Sequence, residues 1–198
     1  MKAKFNHFAD SSYMSDDEIK RTIDAWTAFI GRFMNVGWDV YMVTVLFHQL
    51  SGSKNAKLAQ MNREMERLYS RLATRTVKKT RSPRWAAYLP KGIFVPDLPV
   101  PKSKKNEKCK IADVSINDGL HMGGIIIANR WARISTSLRS HFQKEEETYR
   151  RGKIRYIDVR PITHDLASAV DYTFKSVTRR KFTPDDVLLL NWGGAAGL

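Results

Sequence analysis

The sequence predicts an α+β fold, with a central antiparallel sheet of four to five strands and helices packed on it. Periodic segments follow the order helix, strand, helix, two or three strands, helix, strand, helix, an order typical of one antiparallel sheet with helices on a face. The dipeptide Asp118-Gly119 suits the two-residue primed turn that joins antiparallel strands. The chain has 198 residues, 42% of them hydrophobic, which is enough for one sizeable core.

The first half of the chain predicts a helix, a strand and a second helix. Ser15 and Glu18 form a capping-box pattern ahead of the amphipathic segment "IKRTIDAWTAFIGRF". The stretch "WDVYMVTVLF" is rich in β-branched and aromatic residues and predicts a buried strand from Val40 to Phe47. Apolar residues then recur every three or four positions, which predicts a long amphipathic helix over residues 54–76.

The middle of the chain predicts a loop and a β-hairpin. The segment from Trp85 to Lys110 contains four prolines, so we expect a short strand, "WAAYLP", followed by an exposed loop with the lysine run "PKSKKNEK". The stretches "KIADVSIN" and "LHMGGIIIA" flank Asp118-Gly119. They are expected to form the two strands of the hairpin.

The last third predicts a helix over "ISTSLRSHFQKEEETYRR", a strand over "KIRYIDVRPI" and a helix over "HDLASAVDYTFKSVTRRK" that begins near Thr163. A final short helix, "TPDDVLLLN", has Thr183 as its expected N-cap. These elements divide the chain into an N-terminal helical extension over 1–36, a main domain over 37–182, and a C-terminal helix and tail over 183–198.

The composition indicates an acidic partner and a cytoplasmic protein. Thirty-four basic and twenty acidic residues give a net charge of +14, which favours nucleic acid over an anionic membrane surface as the partner. No apolar run is long enough to span a bilayer, and the N-terminus lacks a signal-peptide pattern. Cys109 is the only cysteine, so an internal disulfide and a cysteine-based zinc site are excluded. A metal would have to be held by histidine and carboxylate groups.

Basic side chains are the candidate contacts to phosphate groups. Four arginines recur at every fourth position of the helix over 54–76, and the basic character continues into "VKKTRSPR". Because Glu64 and Glu66 lie among these arginines, a solvated helix face is the alternative interpretation. Trp85 and Trp131 are candidates for base stacking. The predicted nucleic-acid-binding residues are Arg63, Arg67, Arg71, Arg75, Lys78, Lys79, Arg81, Arg84, Lys104, Lys105, Arg179 and Arg180.

Two short segments contain residues suited to catalysis. His121 and Gly123 lie two apart on a predicted strand and share a face, so a histidine at position 123 would complete a two-imidazole clamp. The alternative is that His121, as a single histidine after a turn, has only a structural role. Tyr172 and Lys175 lie one helical turn apart. A tyrosine phenol needs a nearby cation to act as a nucleophile at neutral pH, and a surface Tyr beside a surface Lys is the alternative.

Taken in order, the stretches "YMVTVLF", "HMGGIII" and "YTFK" resemble the three motifs of the HUH endonucleases over roughly residues 40 to 180. This family contains replication initiators, relaxases and related transposases that cut single-stranded DNA. The resemblance implies a ferredoxin- or RRM-like fold. It also implies that His121 is a ligand for Mg²⁺ or Mn²⁺, that Tyr172 attacks the scissile phosphate and stays joined to the 5′ end, and that Lys175 helps to position DNA or charge near the tyrosine.

Gly123 departs from the family pattern because it stands where the second histidine of the motif is expected. Losing one of three protein ligands weakens the binding of a hard divalent ion, although water can fill the gap. His48, just after the first strand, and Asp113, on the expected partner strand, are candidate replacements.

Three functions follow as hypotheses. The first is a metal-dependent enzyme of a plasmid, phage or mobile element that nicks and joins single-stranded or hairpin DNA. The second is a degenerate protein of the same fold that binds DNA and recruits replication proteins without cutting. The third is an RNA-binding domain that uses Tyr156 on the sheet face for stacking. A membrane-surface role is least favoured, because the basic helix has no strongly apolar exposed face.

Overall fold

The computed structural model describes residues 14–99, 116–130 and 133–191. It contains one five-stranded sheet in the order β4-β1-β3-β2-β5, and all neighbouring strands of this sheet are antiparallel. The predicted α+β class with a central antiparallel sheet is therefore confirmed. The strands are β1 (Asp39–Phe47), β2 (Lys91–Asp97), β3 (His121–Ala128), β4 (Ile154–Pro161) and β5 (Leu188–Leu190).

Most of the helices begin and end close to their predicted positions. Ser15 and Glu18 form the predicted capping box, and the second helix covers residues 54–76 as expected. The late helix starts at Leu166, because the carboxylate of Asp165 accepts the backbone N–H of Ser168 and caps the helix there. No helix in the described part of the chain is long and apolar enough to cross a membrane. The helices are α1 (Asp16–Asn35), α2 (Lys54–Thr76), α3 (Pro83–Ala86), α4 (Leu138–Lys144), α5 (Glu146–Tyr149) and α6 (Leu166–Thr178).

Helices cover both faces of the sheet, whereas the sequence predicted helices on one face. Side chains alternate along a strand, so Met122 and Ile126 of β3 pack with α2, while Ile125 and Ile127 pack with α1 and α6. The helix α1 packs against α6 in this second cluster. The sheet is consequently the middle layer of the fold, and α2 and α6 lie on opposite sides of it.

The prediction of a strand over "WAAYLP" is wrong. This segment forms the short helix α3 and a turn, and the strand is the next stretch, "KGIFVPD", which was expected to be loop. Pro96 is tolerated in β2 because β5 pairs only with Gly92–Phe94, so the proline lies where that edge of β2 has no neighbouring strand among the described residues.

The turn of the predicted hairpin is present, but its partner strand is different. Asp118 and Gly119 have φ values of 57° and 75°, and the N–H of Leu120 donates to the carbonyl of Asn117, as in a primed turn. The strand β3 pairs with β1 along one edge and with β2 along the other. The expected partner strand, "KIADVSIN", has its residues 110–115 outside the described part of the chain.

The predicted C-terminal helix is also wrong. Thr183 caps only a single 3₁₀ turn, Pro184–Asp186, after which residues 188–190 form β5 and pair with β2. A run of three leucines can cover the open edge of the sheet, and tertiary pairing thus overrides the local helical pattern. The helix expected over "ISTSLRSHFQKEEETYRR" is present as two shorter helices, α4 and α5.

Candidate functional site

The candidate site is centred on Asp97, the last residue of β2, which lies beside the first residue of β3. Asp97 is the cross-strand partner of His121, and both side chains face α6. The helix α6 brings Lys175 and Ser176 to the same carboxylate. Three segments that are far apart in the sequence therefore meet at one point.

Both oxygens of the Asp97 carboxylate have partners. Oδ2 lies 2.7 Å from Nζ of Lys175 and 3.3 Å from Nε2 of His121. Oδ1 accepts the hydroxyl of Ser176 and, at 2.9 Å, the backbone N–H of Leu98. The side chain of Asp97 is 6% exposed, so these contacts replace the water that the carboxylate has lost.

The charges at this site are stabilised by their neighbours. Burial raises the pKa of Asp97, but the hydrogen bonds from His121, Lys175 and Ser176 outweigh burial and hold the pKa at about 2. Burial likewise lowers the pKa of Lys175, and its bonds to Asp97 and Tyr172 outweigh burial and raise the pKa above its ordinary value. Asp97 and Lys175 therefore form a charged pair at neutral pH.

This carboxylate makes the stability of the protein depend on pH at acidic values. The pKa of Asp97 falls from 3.8 to about 2 on folding, so its contribution is complete above pH 4 and is lost as the pH falls to 2. The lost contribution is about 2 kcal/mol. We expect the free energy of unfolding of the wild type to exceed that of Asp97→Asn by about 2 kcal/mol more at pH 5 than at pH 2, measured by urea denaturation. Parallel profiles for the two proteins would show that the ionised carboxylate is not held as described.

The imidazole of His121 is fixed by the primed turn beside it. Its Nδ1 lies 2.9 Å from the carbonyl oxygen of Gly119. A carbonyl oxygen only accepts hydrogen bonds, so Nδ1 carries a hydrogen and donates it. Nε2 is left facing Asp97, where it either donates as an imidazolium or offers its lone pair to a cation shared with the carboxylate. Histidine ligands of metals are typically oriented through the other ring nitrogen in this way.

Tyr172 lies at the mouth of the same site. It is 55% exposed, and Nζ of Lys175 lies 3.7 Å from the centre of its ring. Tyr172 borders a cleft of about 90 Å³ at the surface of the sheet, and Lys175 contacts two residues of its lining, Tyr172 and Asp97. The cleft is lined by Met42, Val43, Thr44, Asp97, His121, Gly123, Gly124, Tyr172 and Thr173.

The two glycines of "HMGG" differ in what surrounds them. A Cβ added at Gly124 would lie 2.3 Å from the carbonyl oxygen of Ile93 and from the ring of Phe94, so this position requires glycine. A Cβ added at Gly123 would have nothing within 4 Å. Gly123 therefore leaves open space in the cleft, on the face that carries His121.

His121 and Asp97 are the groups in the cleft that could hold Mg²⁺ or Mn²⁺. No group of three or more metal-binding side chains is found among the described residues. An imidazole and a carboxylate fit a hydrated ion, because Mg²⁺ keeps several waters and Mn²⁺ accepts both ligand types. The ammonium of Lys175 already contacts the oxygen that such an ion would use.

The structure places the two proposed replacement ligands differently. His48 is exposed after β1 and is not among the residues that line the cleft, while Asp113 lies outside the described part of the chain. Asp113 was expected on the strand that partners His121, and in the structure the residue paired with His121 is Asp97 of β2. Sequence reasoning missed Asp97 for this reason. Its signal was an acidic residue at the end of the apolar stretch "GIFVP".

Most of the predicted phosphate contacts lie away from the cleft. The arginines of α2 are on the opposite side of the sheet from Tyr172. Several of these residues have intramolecular partners: Arg67 with Glu64 at 2.7 Å, and Arg75 with Glu145 at 3.8 Å. The residues Lys78, Lys79, Arg81 and Arg84 are exposed after α2, whereas Lys104 and Lys105 lie outside the described residues. The list is completed by Arg63, which is exposed; Arg71, which is half-buried; Arg179, which is exposed; and Arg180, which is exposed and 2.7 Å from Asp16.

The candidate stacking residues are also separated. Tyr156 is 46% exposed and pairs with Leu46. Both residues lie on the face of the sheet opposite to α2. Trp85 is half-buried and packs against Tyr88, with ring centres 5.7 Å apart. Trp131 lies outside the described residues.

The arrangement joins an exposed phenol, an adjacent ammonium and a carboxylate-imidazole pair in one cleft. These groups suit attack on a phosphate ester, in which positive charge must balance developing negative charge. No family of known proteins, no curated protein and no solved structure was found to match the chain.

Proposed function

We propose that the protein binds single-stranded or hairpin DNA and nicks and rejoins it through Tyr172, as a replication-initiator-like enzyme of the HUH type. One observation supports this most strongly. Tyr172 and His121, which the motif resemblance selects, line one cleft together with Asp97, and the third selected residue, Lys175, contacts both Tyr172 and Asp97. The resemblance was drawn from short sequence motifs and requires these side chains to converge, so their proximity in the fold supports it.

The reaction proposed is a transesterification. The phenol oxygen of Tyr172 loses its proton to water and attacks the phosphorus of a phosphodiester. The bond from phosphorus to the 3′ oxygen breaks, and that oxygen takes up a proton to give a free 3′ hydroxyl. The 5′ phosphate stays joined to Tyr172, and the reverse reaction with a 3′ hydroxyl rejoins the strand. Lys175, 3.7 Å from the centre of the tyrosine ring, stabilises the negative charge of the attacking phenolate.

Asp97 and His121 are the residues that would hold Mg²⁺ or Mn²⁺, and a bound ion would polarise the scissile phosphate. Neighbouring groups of the chain orient these two side chains. The carbonyl of Gly119 orients His121, and Ser176 together with the N–H of Leu98 fixes Asp97. The small residues Gly123 and Thr44 keep the floor of the cleft open to a phosphate.

Binding of DNA is proposed to rest on charge and stacking. The net charge of +14 favours a polyanion, and Arg179 directly follows the helix that carries Tyr172. Tyr156 offers an exposed ring on the sheet face. We propose that the substrate is replicon DNA in the cytoplasm and that the protein acts beside other replication proteins.

The proposal is tested with a pool of end-labelled single-stranded and hairpin oligonucleotides. Protein is incubated with the pool in Mn²⁺, Mg²⁺ or EDTA and analysed on a denaturing gel. We expect a label that migrates with the protein after denaturation and, on mass spectrometry of the digest, a nucleotide joined to the peptide that contains residue 172. Tight binding without any adduct would contradict nicking.

The second candidate is a nucleic-acid-binding protein that does not cut. It is favoured by the convergence of only two metal-binding side chains in the cleft, Asp97 and His121, among the described residues. The same experiment separates the two functions, because binding without an adduct is its expected result. Competition by single-stranded RNA at equal strength would indicate the RNA-binding form of this function, in which Tyr156 stacks on bases.

A further inference from the structure

We propose that Lys175 and a divalent cation compete for the carboxylate of Asp97, so that binding of the cation transfers the lysine to Tyr172. This inference rests on the nicking function proposed above, because it assigns the released ammonium to the phenolate of Tyr172. It makes Lys175 a mobile group with two positions. It also makes the activation of the nucleophile depend on loading of the cation site.

The contacts of Asp97 divide between its two oxygens in the way that such an exchange requires. Oδ1 is held by Ser176 and by the backbone N–H of Leu98, and neither group is a cation. Oδ2 receives Lys175 at 2.7 Å and faces Nε2 of His121 at 3.3 Å. The carboxylate therefore keeps its position through Oδ1 while the cation at Oδ2 is exchanged.

A divalent cation and the lysine cannot both contact Oδ2 at close range without strong repulsion. An ion bound to Oδ2 and to Nε2 of His121 would lie in the region where the ammonium now makes its ion pair. Like charges at such distances repel most strongly in a partly buried site, where water screens them least. His121 favours the divalent cation in this competition, because the lone pair of Nε2 supplies the ion with a second protein ligand beside Oδ2.

Lys175 has a second position ready. Its Nζ lies 3.7 Å from the centre of the Tyr172 ring, and its four-carbon stem allows the ammonium to move without a change in the helix. When the ammonium leaves Asp97, it stays beside the ring of Tyr172, whose phenol oxygen gains negative charge during attack. The lysine would then stabilise the phenolate only when the cation that polarises the phosphate is in place.

The first test measures Mn²⁺ binding without DNA, from the loss of the paramagnetic resonance signal of free Mn²⁺. Lys175→Met removes the competing ammonium and is expected to raise the apparent affinity for Mn²⁺ about tenfold. In the wild type the ammonium occupies Asp97 in most molecules, and a ligand binds more weakly when its site is free in only a small fraction of them. Lys20→Met is the matched control, because it removes one exposed lysine of α1 and the same unit of charge. It should leave the affinity unchanged. Asp97→Asn should abolish binding.

The second test uses the wild-type protein, so it does not depend on the folding of a variant. An amine-specific acetylating reagent is applied with and without Mn²⁺, and the modification of Lys175 and Lys20 is followed by mass spectrometry. We expect Mn²⁺ to speed modification of Lys175 several-fold and to leave Lys20 unchanged.

Equal Mn²⁺ affinity in Lys175→Met and wild type, or unchanged acetylation of Lys175, would overturn the exchange. Absence of Mn²⁺ binding in both proteins would overturn it as well. Neither test contains DNA, so failure to nick leaves their outcome intact, and a failed exchange leaves nicking to be decided by the adduct assay.

Discussion

Tyr172→Phe is expected to abolish the covalent DNA adduct, with a fall of at least about three orders of magnitude in adduct formation. The variant lacks the oxygen that attacks phosphorus but keeps the ring on which Lys175 rests. Since Tyr172 is 55% exposed, the free energy of unfolding should change by no more than about 0.5 kcal/mol. Affinity for the oligonucleotide should also be kept. The measurements are the denaturing gel, a binding isotherm and urea denaturation.

Tyr156→Phe is the matched control. It removes the same hydroxyl from a second exposed tyrosine of the described residues, which is 46% exposed on the sheet face, and it keeps the ring proposed for stacking. Adduct formation should survive in this variant. An adduct that persists in Tyr172→Phe, or that disappears in Tyr156→Phe, would contradict the assignment of the nucleophile.

Gly123→His is expected to raise Mn²⁺ affinity at least about tenfold, which corresponds to about 1.4 kcal/mol of binding free energy. Position 123 shares the strand face of His121, and an added Cβ meets no atom within 4 Å. The new imidazole would supply a third protein ligand beside Asp97 and His121. Adduct formation should increase at low Mn²⁺ concentrations, where loading of the site limits the reaction. Calorimetric titration with Mn²⁺ and the denaturing gel measure the two effects.

Two variants control for effects other than ligation. Gly123→Val adds a β-branched side chain at the same place without a ligand, and it should leave Mn²⁺ affinity unchanged. Gly124→His should destabilise the protein strongly, because its Cβ would collide with the backbone of Ile93. A gain of affinity in Gly123→Val, or none in Gly123→His, would show that the open space at position 123 is not part of a cation site.

Local patterns predicted the elements whose stability is mainly local. The capping box at Ser15 and the apolar periodicity of residues 54–76 fix α1 and α2, and the structure has both. The elements that were missed depend on partners far along the chain. Residues 91–97 become a strand because they pair with β3, and residues 188–190 because they pair with residues 92–94; nothing in either stretch alone shows that pairing. Pro96 favoured a loop, and Thr183, as a good N-cap, favoured a helix.

The candidate site was predicted in part. The motif pattern selected His121, Tyr172 and Lys175; the first two line one cleft, and Lys175 contacts Tyr172 beside it. Asp113 was named as a candidate acidic ligand because the hairpin was expected to place it on the strand that partners His121. Register between strands is a property of the whole sheet, so Asp97 could be found only once β2 was known to be the neighbour. Membership of the HUH family stays a prediction.

The central position of β3 has a consequence for how the cleft can move. His121 and Gly123 belong to the middle strand of the sheet, and both edges of that strand are bonded. Such a strand opens only when most of the domain unfolds, so amide protection there reports global stability. Tyr172 and Lys175 project instead from a helix at the surface. One wall of the cleft is therefore as rigid as the fold itself, and rearrangement during a reaction cycle is confined to the side chains of α6.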